Sequence, residues 1–226
     1  MKKLCFINGS PRGEKSGSSY FIKEIKRILD EKKIISEEIY IANSRKSKLY
    51  EIFMRLDEMD IIVFAFPLYV DCIPSTMMEF LNDYEEFIGN NLAADNIKKA
   101  PKVYALSNCG FIEGEQNKHA LMIMENFAKK VGFNWRFGIG IGGGEMMTAT
   151  KDNIPMKSKL KSKIYEVILE IKRDIESEDN IARRNIMTNM NIPKFLFVFM
   201  AHRHWLSIAK KNGVRKKKLL NNPYAE

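Results

Sequence analysis

The sequence predicts an α/β domain in which a five-stranded parallel sheet is covered by helices on both faces. Three observations predict it. Short apolar runs of strand length alternate five times with apolar stripes of helical spacing. The run at 61–66 is apolar without a break and β-branched at its start, as a strand buried on both faces requires. Glycine, proline, serine or asparagine stands at the C-terminal end of most of the runs. With 226 residues the chain is long enough for one full core and an appendage.

Residues 3–7 read as the first strand, which stops at Asn8-Gly9-Ser10-Pro11. Phe21, Ile25, Ile28 and Leu29 then recur at helical spacing, with Ser18 or Ser19 expected as the N-cap. Residues 37–42 alternate weakly and are expected as the second strand, and Leu49, Phe53 and Leu56 mark a short second helix. The third strand, 61–66, ends at Pro67. Pro74 opens the next helix, where a missing N–H is harmless, and Met77, Phe80, Leu81, Tyr84 and Ile88 form its apolar face. Residues 90–100 are polar and read as a linker. Residues 103–106 make the fourth strand, followed by a helix carrying Leu121, Met124, Ala128 and Val131. Residues 135–141 make the fifth, and Leu160, Ile164, Ile168, Ile171 and Ile175 form the most regular helical stripe of the chain.

The tail differs from the rest. From 180 to 226 there are ten Lys/Arg and one acid, whereas the first 179 residues hold 27 basic and 27 acidic groups. The net charge of +9 therefore belongs to this tail. We accordingly expect a domain over 1–179 and a basic, aromatic-rich helical extension over 180–226. Pro193 would start a helix there and Gly213 would end it as the C′ residue, enclosing Phe195, Leu196, Val198, Phe199, Trp205, Leu206 and Ile208. Three readings compete for it. Packing on its own or a second subunit leads, because Phe and Met at helical spacing are usually core. A peripheral helix on anionic lipid comes second. Nucleic acid is third, since one short basic block at 215–218 carries no recognised motif.

Three scattered cysteines, Cys5, Cys72 and Cys109, make neither a disulfide framework nor a metal motif, and suit a reducing cytoplasm. No metal site is expected; His202 and His204, two apart, face different sides of a helix. The apolar run at 4–7 is far shorter than a signal-peptide core, and that at 195–201 is too short to cross a bilayer.

Chemistry concentrates in the first turn. A strand, then Gly9, Ser10, Arg12, Gly13 and the serines 16, 18 and 19, then a helix, is a suitable anion site. The helix end offers unpaired N–H groups and positive potential, the hydroxyls donate, and Arg12 adds a charge-assisted bond. Neither GxxxxGK[ST] nor GxGxxG occurs here, so a phosphomonoester fits better than a triphosphate or dinucleotide. Gly138, Gly140 and Gly143 do match GxGxxG, but they lie in and after the fifth strand with no helix expected promptly, and read as a decoy.

INGSPRG at 7–13 with GSSY at 17–20, FPLYVDCIP at 66–74 leading to EFL at 79–81, and SNCGF at 107–111 occur in this order. Together they resemble the three flavin segments of the flavodoxin-like NAD(P)H-dependent FMN reductases and quinone reductases, over residues 1–175. The resemblance implies strand order 2-1-3-4-5, with FMN at the carboxyl edge of the strands. It places Ser10, Arg12, Ser18 and Ser19 on the phosphate. Pro67, Leu68, Tyr69 and Val70 would line one side of the ring, and Asn108, Cys109, Gly110 and Phe111 the other. It further implies a homodimer and ping-pong hydride transfer from NADH or NADPH to a small acceptor such as a quinone, a flavin, or a nitro or azo compound. No side chain is assigned as a catalytic acid or base. A flavodoxin-type electron carrier and a non-enzymatic redox sensor remain as alternatives; carriers of that type tend to be shorter and acidic.

Overall fold

The computed structural model of the chain describes residues 1–44, 46–91, 100–179, 181–219 and 221. They divide into two compact units, Met1–Met190 and Asn191–Glu226.

The first unit is built on six parallel strands: β1 (Lys2–Asn8), β2 (Ile34–Tyr40), β3 (Ile61–Pro67), β4 (Lys102–Asn108), β5 (Asn134–Gly142) and β6 (Ile186–Asn189). Their order is β2-β1-β3-β4-β5-β6. The expected order of the first five is present, but the sheet has six strands, not five. β6 lies past residue 179, in a stretch expected to be helical. Its four residues are too few to show a period. It is recognisable only by what it pairs with, Ile139 to Gly142 of β5.

The helices are α1 (Gly17–Lys26), α2 (Leu49–Leu56), α3 (Ser75–Asn91), α4 (Lys118–Lys130), α5 (Gly144–Ala149) and α6 (Ser162–Glu176). Alternate residues of each strand face opposite sides. Cys5, Ile7, Ile62, Phe64, Val103 and Ala105 look toward α2, α3 and α4, where Phe53, Phe80, Tyr84 and Leu121 complete one core. Phe6, Val63, Tyr104 and Leu106 are buried on the other face, which α1 and α6 cover together. A strand covered on both faces has no polar side to show, which is why 61–66 reads as an unbroken apolar run.

β2 starts three residues earlier than expected. It is an edge strand whose acids at 37 and 38 obscure its alternation; they are accommodated by Arg55 and Lys26, the latter 2.8 Å from Glu38. α3 runs on to Asn91, into the expected linker, and the remainder of that linker, 92–99, lies outside the described residues.

One buried polar network joins β4, β5 and α6. Arg136 gives Asp174 two hydrogen bonds of 2.8 Å, and the Tyr104 hydroxyl donates to the same carboxylate at 2.6 Å. Lys102 closes the end of α6 by donating to the carbonyls of Asp174, Ser177 and Asp179. Burial pushes the Asp174 carboxyl up, but the bonds from Arg136 and Tyr104 outweigh it and hold the group below its ordinary range.

The second unit contains α7 (Lys194–Lys211) and a short 3-10 turn, Lys216–Lys218. Pro193 accepts the first bonds of the helix. Gly213, at φ 71°, ends it: the Val214 N–H reaches the Ala209 carbonyl at 2.8 Å and the Gly213 N–H that of Lys210 at 3.1 Å. Both ends fall where the sequence puts them.

Candidate functional site

In a parallel sheet whose order reverses between β1 and β3, the connections leaving the carboxyl ends of those strands run to opposite sides and leave a crevice between them. Here that crevice is bordered by three segments, the loop from β1 to α1, the turn after β3 and the loop after β4.

The first loop is organised by side chains. Asn8, the last residue of β1, accepts from the Ser10 N–H at 3.0 Å, and Ser10 Oγ accepts from the Arg12 N–H at 3.3 Å. A 3-10 turn, Gly13–Lys15, follows, and Ser16 caps α1, its Oγ accepting from the Ser19 N–H at 3.1 Å and donating to the Gly13 carbonyl at 2.6 Å. Ser16 thus corrects the expectation of Ser18 or Ser19 as cap; the helix begins earlier because Phe21, Ile22 and Ile25 are buried and need a preceding turn. Ser18 and Ser19 are freed from capping and sit inside the first turn, both buried. Ser19 Oγ faces the Tyr40 hydroxyl at the end of β2, outside strict hydrogen-bond geometry. Arg12, in the same loop, is exposed.

Asn108, at the end of β4, ties the three segments together. It is buried, and its Nδ2 donates to Ser18 Oγ at 3.3 Å and to the Phe66 carbonyl at 3.1 Å, while its carbonyl accepts from the Leu68 N–H at 2.8 Å. Gly17 packs closely beside it: a Cβ there would lie 3.1 Å from Asn108 Oδ1 and 3.2 Å from Thr148 Oγ1, so these side chains would have to shift slightly.

After Pro67 and Leu68 the chain turns tightly. Tyr69 and Cys72 exchange backbone hydrogen bonds of 2.9 and 3.0 Å, with Val70 at φ 49° and Asp71 at φ 57° between them. That two-residue turn favours glycine or asparagine, and a β-branched residue at positive φ is strained. Val70 is 98% exposed, so no packing repays the strain.

On the third segment, Cys109 is buried and Gly110 and Phe111 are exposed. The Cys109 thiol faces the carbonyls of Phe111, Glu113 and Ile141 at 3.6–3.7 Å and accepts from Asn117 Nδ2 at 3.4 Å. Burial pushes this thiol up from its ordinary pKa, so it is a packing residue rather than a thiolate. The backbone of Cys109 and Phe111 is pinned by the N–H groups of Gly144 and Gly143, at 2.7 and 2.6 Å.

Residues 138–143 are explained by packing. Contrary to expectation, the six-residue α5 begins directly after Gly143. The glycines nevertheless serve the 109–117 loop: a Cβ on Gly142 would lie 2.0 Å from the Ile112 carbonyl oxygen. Asn8 and Ser16 belong to the turn that the sequence marks as an anion site, where the structure gives them positioning roles, and Asn117 is a positioning residue that the sequence did not single out. Ser16 was legible as a serine three residues before Ser19, whereas Asn117, which donates to the Gly114 carbonyl at 2.9 Å, gave no signal. His119 is exposed near the start of α4, and no cluster of three metal-ligating residues exists among the described residues.

No protein-family model and no curated protein matches the sequence. Solved structures do. An NAD(P)H:quinone oxidoreductase from Methanothermobacter marburgensis matches with a TM-score of 0.59 at 14% identity, over 80% of this chain and 98% of that one. An FMN-dependent NADH-azoreductase from Bacillus anthracis, solved in complex with FMN, gives 0.55 at 13% identity, over 78% and 100%. An NADH:FMN oxidoreductase in its apo form gives 0.53 at 12% identity, over 79% and 92%. The chain has their fold. These neighbours are of the flavodoxin-like NAD(P)H-dependent FMN reductase family, the same family that the three sequence segments resemble.

Proposed function

We propose that this chain binds FMN in the crevice at the carboxyl edge and acts as an NAD(P)H-dependent oxidoreductase toward a small-molecule acceptor. The observation that carries the reading is the loop from β1 to α1 at the switch point of a sheet shared with FMN-dependent reductases, where the buried hydroxyls of Ser18 and Ser19 stand in the first turn of α1 after the Ser10–Arg12 turn. A phosphate there meets the free N–H groups and positive end of the helix. It also gives Ser19 Oγ an acceptor. Ser18 Oγ accepts from Asn108 and keeps its own proton for donation. Ser10 and the exposed Arg12 complete the phosphate site.

FMN, when bound, supplies hydride acceptance from NAD(P)H and its delivery to a quinone, a flavin, or a nitro or azo compound. The chain's own part is binding and orientation. Pro67, Leu68, Tyr69 and Val70 form one wall, their backbone fixed by the tight turn. Asn108, Cys109, Gly110 and Phe111 form the other, held by Asn117 and by the N–H groups of Gly143 and Gly144. No side chain in either wall is placed as an acid, base or nucleophile, and the thiol of Cys109 stays protonated.

Fluorescence titration of FMN into flavin-stripped protein, with FAD as control, tests the reading. Quenching by FMN and steady oxidation of NADH or NADPH with a quinone acceptor is the expected result. Flavin binding without turnover would leave an electron carrier, and binding of neither flavin would overturn the proposal.

A further inference from the structure

The helix α7 carries apolar side chains that its own unit leaves exposed. Phe195 is 76% exposed and Trp205 70%, and Val198, Phe199, Leu206 and Ile208 are exposed too. At 100° per residue these six, with Phe197, fall in an arc of roughly 200°, in which Lys194 and His202 are the polar exceptions. Arg203, His204, Ser207, Lys210 and Lys211 occupy the remaining arc, in which Leu196 and Met200 are the apolar exceptions. The guanidinium of Arg203 stands 5.8 Å from the Phe199 ring, at the border of the two arcs. Directly after the helix come Arg215, Lys216, Lys217 and Lys218, all exposed.

The charge of the segment selects what covers this face. Residues 180–226 carry ten basic groups and one acid. A second copy of the same helix would bring like charges together, which opposes pairing. A neutral protein groove would leave the basic block unanswered. An anionic bilayer answers both halves: aromatic and aliphatic side chains enter the boundary between headgroups and acyl chains, and lysine and arginine stay with the phosphates. The helix does not span, because no helix among the described residues is long and apolar enough to cross a membrane. Its 18 residues, about 27 Å long, lie in the plane instead.

We propose that α7 and the basic block at 215–218 form an amphipathic anchor that docks the protein on anionic lipid surfaces. The anchor brings an acceptor dissolved in the bilayer to the same surface as the chain. The lipid inference does not depend on flavin.

The test is flotation of the full-length protein with vesicles of phosphatidylcholine alone or with about a third of phosphatidylglycerol, read together with tryptophan emission. Trp135 is buried in the core, so a blue shift on adding vesicles reports Trp205. Expected are flotation and a blue shift with the anionic vesicles only, both weakened by raising salt. Replacing Arg215, Lys216, Lys217 and Lys218 by glutamine lowers the partition at least tenfold and, at about fivefold per charge, by several hundredfold if all four meet the surface. Phe195→Ser with Trp205→Ser abolishes flotation while the far-ultraviolet dichroism stays that of the wild type. Equal binding to neutral vesicles, or binding to neither, overturns the proposal. So does a dimer whose Trp205 emission is already blue-shifted without lipid, or capture of an oligonucleotide with no flotation.

Discussion

Ser19 and Asn108 separate what the site costs from what it gains. Ser19→Ala removes a buried hydroxyl that meets no protein group in strict hydrogen-bond geometry and has only the Tyr40 hydroxyl facing it, so its melting temperature is expected to stay within about 2–4 °C of the wild type, about 1 kcal/mol. Its affinity for FMN should fall at least roughly tenfold, the worth of one hydrogen bond to a charged oxygen, in the same fluorescence titration. Asn108→Ala breaks the bonds to Ser18 and Phe66, so it should both destabilise by about 1–3 kcal/mol in urea unfolding and lose FMN binding. Val70→Gly removes positive-φ strain from an exposed side chain and should raise the melting temperature by about 2–4 °C, read by calorimetry. The chemistry-bearing residue types of the first loop were legible because glycine and serine clusters after a short strand have few other uses. Their division of labour was not. Whether Ser16 or Ser18 caps the helix depends on where Phe21 and Ile22 meet the sheet, a tertiary fact that pattern reading does not contain.

Between elements, the Asp174 carboxylate of α6 is tied to two neighbouring strands, to β4 by Tyr104 and to β5 by Arg136. Removing one partner of a buried pair leaves an uncompensated charge, so Asp174→Ala should cost about 3–5 kcal/mol in denaturant unfolding. The same group sets a pH limit. Its pKa is lower in the folded chain than in the unfolded one, so its contribution is complete above the unfolded value, near pH 4, and fades as pH falls through the folded value. The melting temperature should therefore drop below about pH 4 more steeply in the wild type than in Asp174→Asn, which has already lost that contribution. The strands and helices themselves were readable where burial imposes a period: β3, α4, α6 and both ends of α7 stand close to where their patterns put them. β2 was displaced because an edge strand carries paired acids, and β6 was missed because four residues among basic ones carry no period at all.

For the whole molecule, the boundary that matters is the end of β6 rather than the onset of the basic tail. A chain ending at Met190 keeps all six strands and should unfold as cooperatively as the full protein. Ending at 179 removes β6 and should lower the melting temperature by several degrees, since a strand's worth of pairing and burial is lost with it. Circular dichroism melts of the two truncations make the comparison. Composition revealed the charge division between the two parts of the chain but not where the sheet ends, because charge counts do not register a strand that pairs with a distant segment.

β6 has a further effect besides its contribution to stability. An open sheet ends in unpaired N–H and carbonyl groups, a template on which another chain can add a strand. At one border β2 carries Glu37 and Glu38, charges that discourage such addition. At the other, residues 137–142 of β5 are apolar and rich in glycine, and a four-residue strand shields the end of it. β6 is thus a stopper against fibril growth: a chain cut before it is expected to form thioflavin-positive aggregates on standing, and one cut after it to stay clear.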